Sequence, residues 1–309
     1  DRALGSEFGL VIEGGALQHA LREDQQGHFL DLCASCTGVV CCRVSPIQKA
    51  SVTSLMKERG GRVTLGVGDG ANDVGMIKAA HIGVGISGRE GRTAVLASDF
   101  SVGQFRFLAR LLLVHGRWSA KRNREVVLYA FYKNFVYTMA NVWFGFLSAY
   151  SAQPIYTTAA IATFNVLWTS LPTVAFACFD QDVVASVALA HPRLYEETAA
   201  FAGADFARAA ARWLASASWH SLWCFFVALV ALGDPAASTS GGKPWDLWSA
   251  GVAAFTSVVV ACTLKVAART NHWTACNAAA VVVSVATWFP FLVLLGNAWR
   301  RFGAFASVH

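Results

Sequence analysis

Charge is the scarce component of this chain. Asp, Glu, Lys and Arg make up 14% of its 309 residues, against roughly 25% in an average globular chain. The shortage is uneven: the first 125 residues read as an ordinary soluble α/β region, and most of the rest reads as lipid-facing helix, so two parts are expected. Carboxylates are missing altogether from Val126 to Phe179, which speaks against a mid-membrane site for a transported metal cation. No signal peptide is expected at the start, and there is no internal repeat or low-complexity tract. Cys33, Cys36, Cys41 and Cys42 lie close together but lack the second ligand pair of a zinc site. Cys41-Cys42 continue the apolar run Gly38-Val39-Val40, and adjacent strand residues point to opposite faces. Reduced, packed thiols are expected.

The basic surplus, a formal +6, gathers beside apolar spans, and no nucleic-acid partner is expected. Arg106, Arg110, Arg117, Lys121, Arg122 and Arg124 precede the first of five apolar stretches, near 126–150, 157–179, 213–233, 245–264 and 273–296. Each approaches or exceeds the ~20 residues that cross ~30 Å of hydrocarbon. Trp213, Trp245, Trp248 and Trp273 stand at span ends, where indole rings favour the interface, and Asp246 edges the fourth span. Cationic segments follow the second stretch (Arg193, Arg208, Arg212) and the fourth (Lys265, Arg269), whereas Ser151 to Pro154 is uncharged. Arg300 and Arg301 dissent, but the pattern places residues 1–125 in the cytosol.

Residues 8–12, 38–43, 63–67 and 81–86 read as strands alternating with helices, the pattern of a parallel sheet covered by helices. Ser45-Pro46 supplies a capping hydroxyl and a proline at the first helical position, for a helix reaching about Arg59. The strand Val63–Val67 runs into Gly68-Asp69-Gly70-Ala71-Asn72-Asp73. Carboxylates at the carboxyl end of a parallel strand meet the usual ligand crevice of an open α/β sheet. There Asp69 can ligate Mg²⁺ together with phosphate oxygens and water, with Asn72 and Asp73 orienting it. Lys49 adds a cation beside free helix N–H groups, and Arg43 ends the preceding strand, available to the same anion or a nucleotide.

Within the first two spans Lys133 is an intramembrane cation, costly and therefore a functional candidate. Asn134 and Asn165 are hydrogen-bonding company for an anionic head group. Lys133 also lies about 12 Å along a helix from Glu125, short enough for snorkelling to the interface. Pro172 should free a backbone carbonyl near Trp168.

Ser35-Cys36, Arg43-Val44-Ser45-Pro46-Ile47-Gln48-Lys49-Ala50, Gly68–Met76, His81–Gly88, Ala97-Ser98-Asp99-Phe100, Leu111–Gly116 and Phe131-Tyr132-Lys133-Asn134 together resemble the type IV P-type ATPases, the phospholipid flippases. The resemblance covers nearly the whole chain and is strongest from Cys36 to Thr138. It implies an α/β haloacid-dehalogenase-like fold, with a Rossmann-type parallel sheet forming part of a phosphorylation domain in residues 1–125. An α-helical transmembrane bundle of about five spans would follow in residues 126–309. It implies Mg²⁺ at Asp69 and Asp73, and catalytic roles for Lys49, Asp69 and Asp73. It also implies contacts to ATP or the phosphoryl group from Arg43, Lys49, Asn72 and Asp73, and a lipid pathway through Lys133, Asn134 and Asn165. The implied activity moves a phospholipid from the exoplasmic to the cytosolic leaflet through an aspartyl-phosphate cycle. An accessory flippase β-subunit and a multi-pass location in the plasma membrane or a Golgi/endosomal membrane go with it.

Two departures stand out. Such pumps phosphorylate the aspartate of Asp-Lys-Thr-Gly-Thr, and no Asp-Lys pair occurs here. The chain is therefore expected to be the C-terminal part of a pump, inactive alone. Glu13 stands where the family usually has aspartate, which puts the role of that loop in question. Alternative readings are a cation-transporting P-type ATPase and a catalytically dead pseudo-pump acting as a membrane interaction protein.

Overall fold

The computed structural model describes residues 8–61, 63–88, 92–201, 203–232 and 247–306. The chain divides into two compact units, Asp1–Leu111 and Leu112–His309.

In the first unit β1 (Gly9–Glu13) leads into α1 (Gly14–Ala20), α2 (Gln26–Ser35), β2 (Gly38–Cys42), α3 (Pro46–Glu58) and β3 (Leu65–Gly68). A 3₁₀ turn (Ala71–Asp73) follows, then α4 (Val74–Ala79), β4 (Ile82–Ile86), α5 (Thr93–Ala97), β5 (Phe100–Val102) and α6 (Phe107–Arg110). All strand pairs are parallel, as helical crossovers require. They form two sheets where one was expected. β1 pairs with β2, from Gly9↔Gly38 to Glu13↔Cys42; β3, β4 and β5 pair in that order, with Leu65↔Ile82 and Val84↔Phe100. β2 and β3, joined through α3, do not pair with each other. Each therefore has one backbone edge without a strand partner among the described residues.

The short β5 was not anticipated, because three residues carry no readable period. Asp99 secures it: its carboxylate accepts the Gly83 N–H at 2.7 Å, and its own N–H donates to the Gly83 carbonyl at 3.0 Å. Leu17, Phe29 and Leu55 form a core beside the first sheet, with Ile12, Cys33, Cys41 and Val52 packed against them. Burial pushes the Cys33 and Cys41 thiols up, the behaviour of packed rather than reactive cysteines.

A π-helical segment (Leu111–Gly116) leads into α7 (Arg117–Leu147), followed by α8 (Thr158–Thr163), a π-helical turn (Phe164–Trp168) and α9 (Ser170–Phe179). Then come α10 (Ala185–Ala190), a 3₁₀ segment (Pro192–Phe201), α11 (Ala204–Leu232), α12 (Leu247–Ala267) and α13 (Ala275–Ala306). Among the described residues, three helical stretches are long and apolar enough to cross a membrane: Thr158–Phe179, Ser249–Ala267 and Ala275–Leu294. The expected spans 126–150 and 213–233 fall largely in α7 and α11, which have 31 and 29 residues, roughly 45 Å each. Both are long enough; among the described residues neither is one of those three stretches. Gly233, Trp245 and Asp246, at the expected edges of two spans, lie outside the described residues.

The interior of this unit is aromatic. Tyr137 stacks on Phe164 at 4.9 Å, and Trp288 meets both Trp168 and Phe255 at 5.0 Å. Trp213, expected at the interface, is buried, with Lys265 and Arg269 over its ring at 5.1 and 4.8 Å. In lipid, close packing and interhelical hydrogen bonds replace the hydrophobic effect as the force between helices. Such bonds are present: the Tyr129 hydroxyl donates to the Cys262 carbonyl at 3.0 Å, and Trp288 Nε1 donates to Thr256 Oγ1 at 2.8 Å.

Pro172 lacks the N–H that would bond the Trp168 carbonyl. The Ser284 hydroxyl on α13 donates to that carbonyl instead, in a fully buried contact. Ser284→Ala is therefore expected to cost about 1–3 kcal/mol, the desolvation penalty of an orphaned polar group. The check is the thermal midpoint of the detergent-purified protein. An unchanged midpoint would mean the carbonyl finds another donor.

Candidate active site

The site is built on the carboxyl ends of β2 and β3. Ser45 caps α3 in a reciprocal box. Its hydroxyl accepts the Gln48 N–H at 3.3 Å, its own N–H donates to Gln48 Oε1 at 2.9 Å, and Pro46 occupies the first helical turn. This places Lys49 so that its ammonium donates to Asp73 Oδ1 at 2.8 Å. The other carboxylate oxygen of Asp73 accepts the backbone N–H groups of Asp69 and Gly70 at 3.3 and 3.4 Å. Burial pushes the Asp73 carboxyl up, but the hydrogen bond and charge of Lys49, with the two backbone donors, outweigh it and hold it below the usual carboxylate range. The contact is therefore complete above the unfolded carboxylate pKa of about 4 and is lost as pH falls through the depressed folded value. Gly68 makes the turn possible: a Cβ there would stand 2.3 Å from that of Asp73.

Asp69 differs from Asp73. It is exposed, and its carboxylate has no hydrogen-bond or ion partner among the described residues. Asn72 is likewise exposed. Mg²⁺ commonly takes one or two carboxylates and completes its shell with water and phosphate oxygens. A free carboxylate at the end of a parallel strand fits that role. Asp73 already accepts three hydrogen bonds, which leaves about one acceptor position on Oδ1 for a metal. Among the described residues no three His, Cys, Asp or Glu side chains converge as a metal group, so most of the shell would come from water and phosphate. Arg43, expected at the nucleotide, instead pairs with Glu13 at 3.3 Å from a left-handed backbone, φ 50°. Both side chains are exposed, and such a pair is worth little.

In the helical unit Lys133 is buried at 8% exposure, and its ammonium donates to Thr169 Oγ1 at 3.0 Å; that hydroxyl donates to the Phe164 carbonyl, also at 3.0 Å. Lys133 points inward rather than snorkelling. The Asn165 amide donates to Asn134 Oδ1 at 3.0 Å, on an exposed surface. Lys133, Asn134 and Asn165 thus lie where α7 meets the π-helical turn and the start of α9.

Two polar clusters were missed from the sequence. Arg117, at 2% exposure, donates to Asp182 through Nε and Nη2 at 3.0 and 2.8 Å, to Glu197 at 2.9 Å and to the Leu194 carbonyl. Asp180 accepts the backbone N–H groups of Asn271 and His272 at 2.7 and 2.9 Å. These partners are 65 to 92 residues apart, beyond any local pattern. The available signal was the acidic pair closing an uncharged span.

The family described as phospholipid-translocating P-type ATPase C-terminal matches residues 95–308. The chain is 44% identical over 293 residues to human phospholipid-transporting ATPase ID, covering 94% of this chain and 24% of that protein. It is 43% identical over 289 residues to Arabidopsis thaliana probable phospholipid-transporting ATPase 7, covering 94% and 23% respectively. It is 42% identical over 287 residues to Xenopus tropicalis phospholipid-transporting ATPase IC, covering 91% and 22%. The chain thus spans about a quarter of the length of these relatives. With a carboxylate-bearing turn on a parallel sheet and a helical unit containing membrane-length apolar helices, it belongs to the phospholipid-translocating P-type ATPases and carries their C-terminal region.

Proposed function

We propose that the intact protein is an ATP-driven phospholipid flippase, to which this chain contributes the Mg²⁺-phosphate site and part of the lipid path. The observation carrying the proposal is the division of labour at the site: Asp73 is engaged by Lys49 and two backbone donors, and Asp69 has no side-chain partner among the described residues. Bound Mg²⁺ would neutralise charge on the transferred phosphoryl group. This chain's own residues hold the site: Asp73 fixes the Asp69 turn, Lys49 sets Asp73, and Asn72 is open for a water or phosphate contact. Arg43 would reach a nucleotide after leaving Glu13.

The phosphorylated aspartate belongs, on this reading, to an Asp-Lys-Thr-Gly-Thr segment elsewhere in the intact polypeptide. The open edges of β2 and β3 support it, because a parallel strand between them would merge the two sheets and end beside Lys49 and Asp69. α7 and α11 complete five spans, residues 1–125 lie in the cytosol, and the protein resides in the plasma membrane or a Golgi/endosomal membrane with an accessory β-subunit. Phosphorylation and dephosphorylation alternate access to a lipid groove, carrying lipid from the exoplasmic to the cytosolic leaflet. Lys133 attracts the head-group phosphate there, and Asn134 and Asn165 donate hydrogen bonds to it.

The test is lipid-stimulated ATPase activity of the intact protein. Lys133→Ala should weaken lipid stimulation about tenfold, as loss of one charged hydrogen bond of ~1.5 kcal/mol predicts, while sparing expression and phosphoenzyme formation. An unchanged lipid dependence would reduce Lys133 to a packing role. Stimulation by Ca²⁺, Na⁺ or K⁺ in place of lipid would favour a cation pump, a reading opposed by the carboxylate-free stretch from Val126 to Phe179.

A further inference from the structure

We propose that Gln48 is a positioning residue that keeps Lys49 on Asp73 by tying the turn after β1 to the first turn of α3. The proposal rests on the reading of the Lys49–Asp73 pair as part of the phosphoryl-transfer site. Gln48 uses both ends of its amide. Oε1 accepts the Ser45 N–H at 2.9 Å, and Nε2 donates to the Gly14 carbonyl at 2.7 Å. Helix capping needs only the first bond, and a glutamate makes it equally well. The second bond spans 34 residues and is partly buried, so it does something capping does not.

That bond sits where the two crossover turns are pressed together. A Cβ on Gly14 would stand 2.5 Å from the Arg43 carbonyl and 3.3 Å from Gln48 Oε1. One amide thereby joins the start of α1, the exit of β2 and the first turn of α3. Lys49 is the next residue. Its ammonium ends a flexible four-carbon stem, and its side chain is 33% exposed. An ion pair of that kind is held weakly by itself. The direction of the helix turn beneath it therefore decides how often the ammonium meets Asp73. With Gln48 held at two points, that turn cannot swing about Ser45.

Gln48→Glu retains the acceptor for Ser45 and loses the donor to Gly14. Gln48→Met keeps the bulk and loses both. The measurement is site-resolved acylation of lysine amines in the intact detergent-purified protein, read by mass spectrometry, with Lys57 and Lys78 as internal references. Lys49 should label about three- to fivefold faster in both variants, the factor corresponding to a partly exposed ion pair, and Asp73→Asn should do the same as a positive control. The carboxylate introduced by Gln48→Glu would by itself attract the Lys49 ammonium and slow acylation, so faster labelling in that variant reports the lost tie. Unchanged Lys49 labelling in Gln48→Met overturns the proposal. Equally fast Lys49 labelling in Ser45→Ala, which loses a capping bond and keeps the Gly14 tie, overturns it too, leaving Gln48 a helix cap. A wild-type protein that forms no phosphoenzyme would sink the functional reading and leave the labelling result standing.

Discussion

Asp69→Asn in the intact pump should lower phosphoenzyme formation by roughly 10³-fold, the scale of losing one essential charge-stabilising element in phosphoryl transfer. The substitution keeps the shape of the side chain and removes only its charge. Because the Asp69 carboxylate has no partner among the described residues, folding has no stake in that charge, and the thermal midpoint should stay at its wild-type value. Asp73→Asn behaves differently. It weakens the bond from Lys49 and the acceptors for the Asp69 and Gly70 N–H groups, so activity and local stability fall together. The measurement is acid-stable phosphate incorporation from labelled ATP across a Mg²⁺ titration, paired with thermal unfolding. Normal incorporation in Asp69→Asn would remove Asp69 from the metal site. A large drop in its midpoint would show instead that the carboxylate has a structural partner.

The local geometry of the candidate site was legible in the sequence because its parts are close along the chain. Ser45, Pro46 and Lys49 lie within one helical turn, and Asp69 to Asp73 within one strand-to-helix connection, so cap chemistry and strand order place them. The freed carbonyl at Trp168 was readable for the same reason, since proline removes one identifiable hydrogen bond. The acceptance of that carbonyl by Ser284 was not readable, because 116 residues separate the two. Sheet composition was misjudged on similar grounds. Alternating strands and helices specify parallel pairing, but they do not say which edges meet. Lys133 shows the limit of position alone. Its distance along the helix allowed snorkelling, and only the placement of Thr169 turned it inward. The Glu13–Arg43 pair was concealed because Arg43 takes a left-handed backbone conformation that pattern reading does not anticipate.

Arg117→Met should destabilise the helical unit by about 3–5 kcal/mol, the cost of breaking a buried ion pair from one side. Asp182, whose side chain is 12% exposed, would keep Lys121 at 2.7 Å as its ion partner, while its Oδ1 already has no hydrogen-bond partner. Removing Arg117 leaves part of that carboxylate's desolvation uncompensated. The segment between α9 and α11 would also lose its tie to α7 through Leu194 and Glu197. The pH dependence separates charge from packing. Burial pushes the Asp182 carboxyl up, but hydrogen bonds from Lys121 and Arg117 outweigh it and hold it below the usual range; the Arg117 bond pulls Glu197 down as well. Groups with depressed folded pKa values stabilise fully above their unfolded values of about 4, and that stability is lost as pH falls through the folded ones. Wild-type protein in detergent should therefore lose thermal stability below about pH 4. In Arg117→Met the Asp182 carboxyl rises toward its unfolded value, so the acid-induced loss should shrink and the variant's deficit against wild type should narrow as pH falls. Pairing Arg117→Met with Asp182→Asn should recover part of the deficit, because the stranded charge is then gone. If the double variant is no more stable than Arg117→Met, and the single variant's deficit does not vary with pH, Arg117 acts through packing and its ion network contributes nothing of its own.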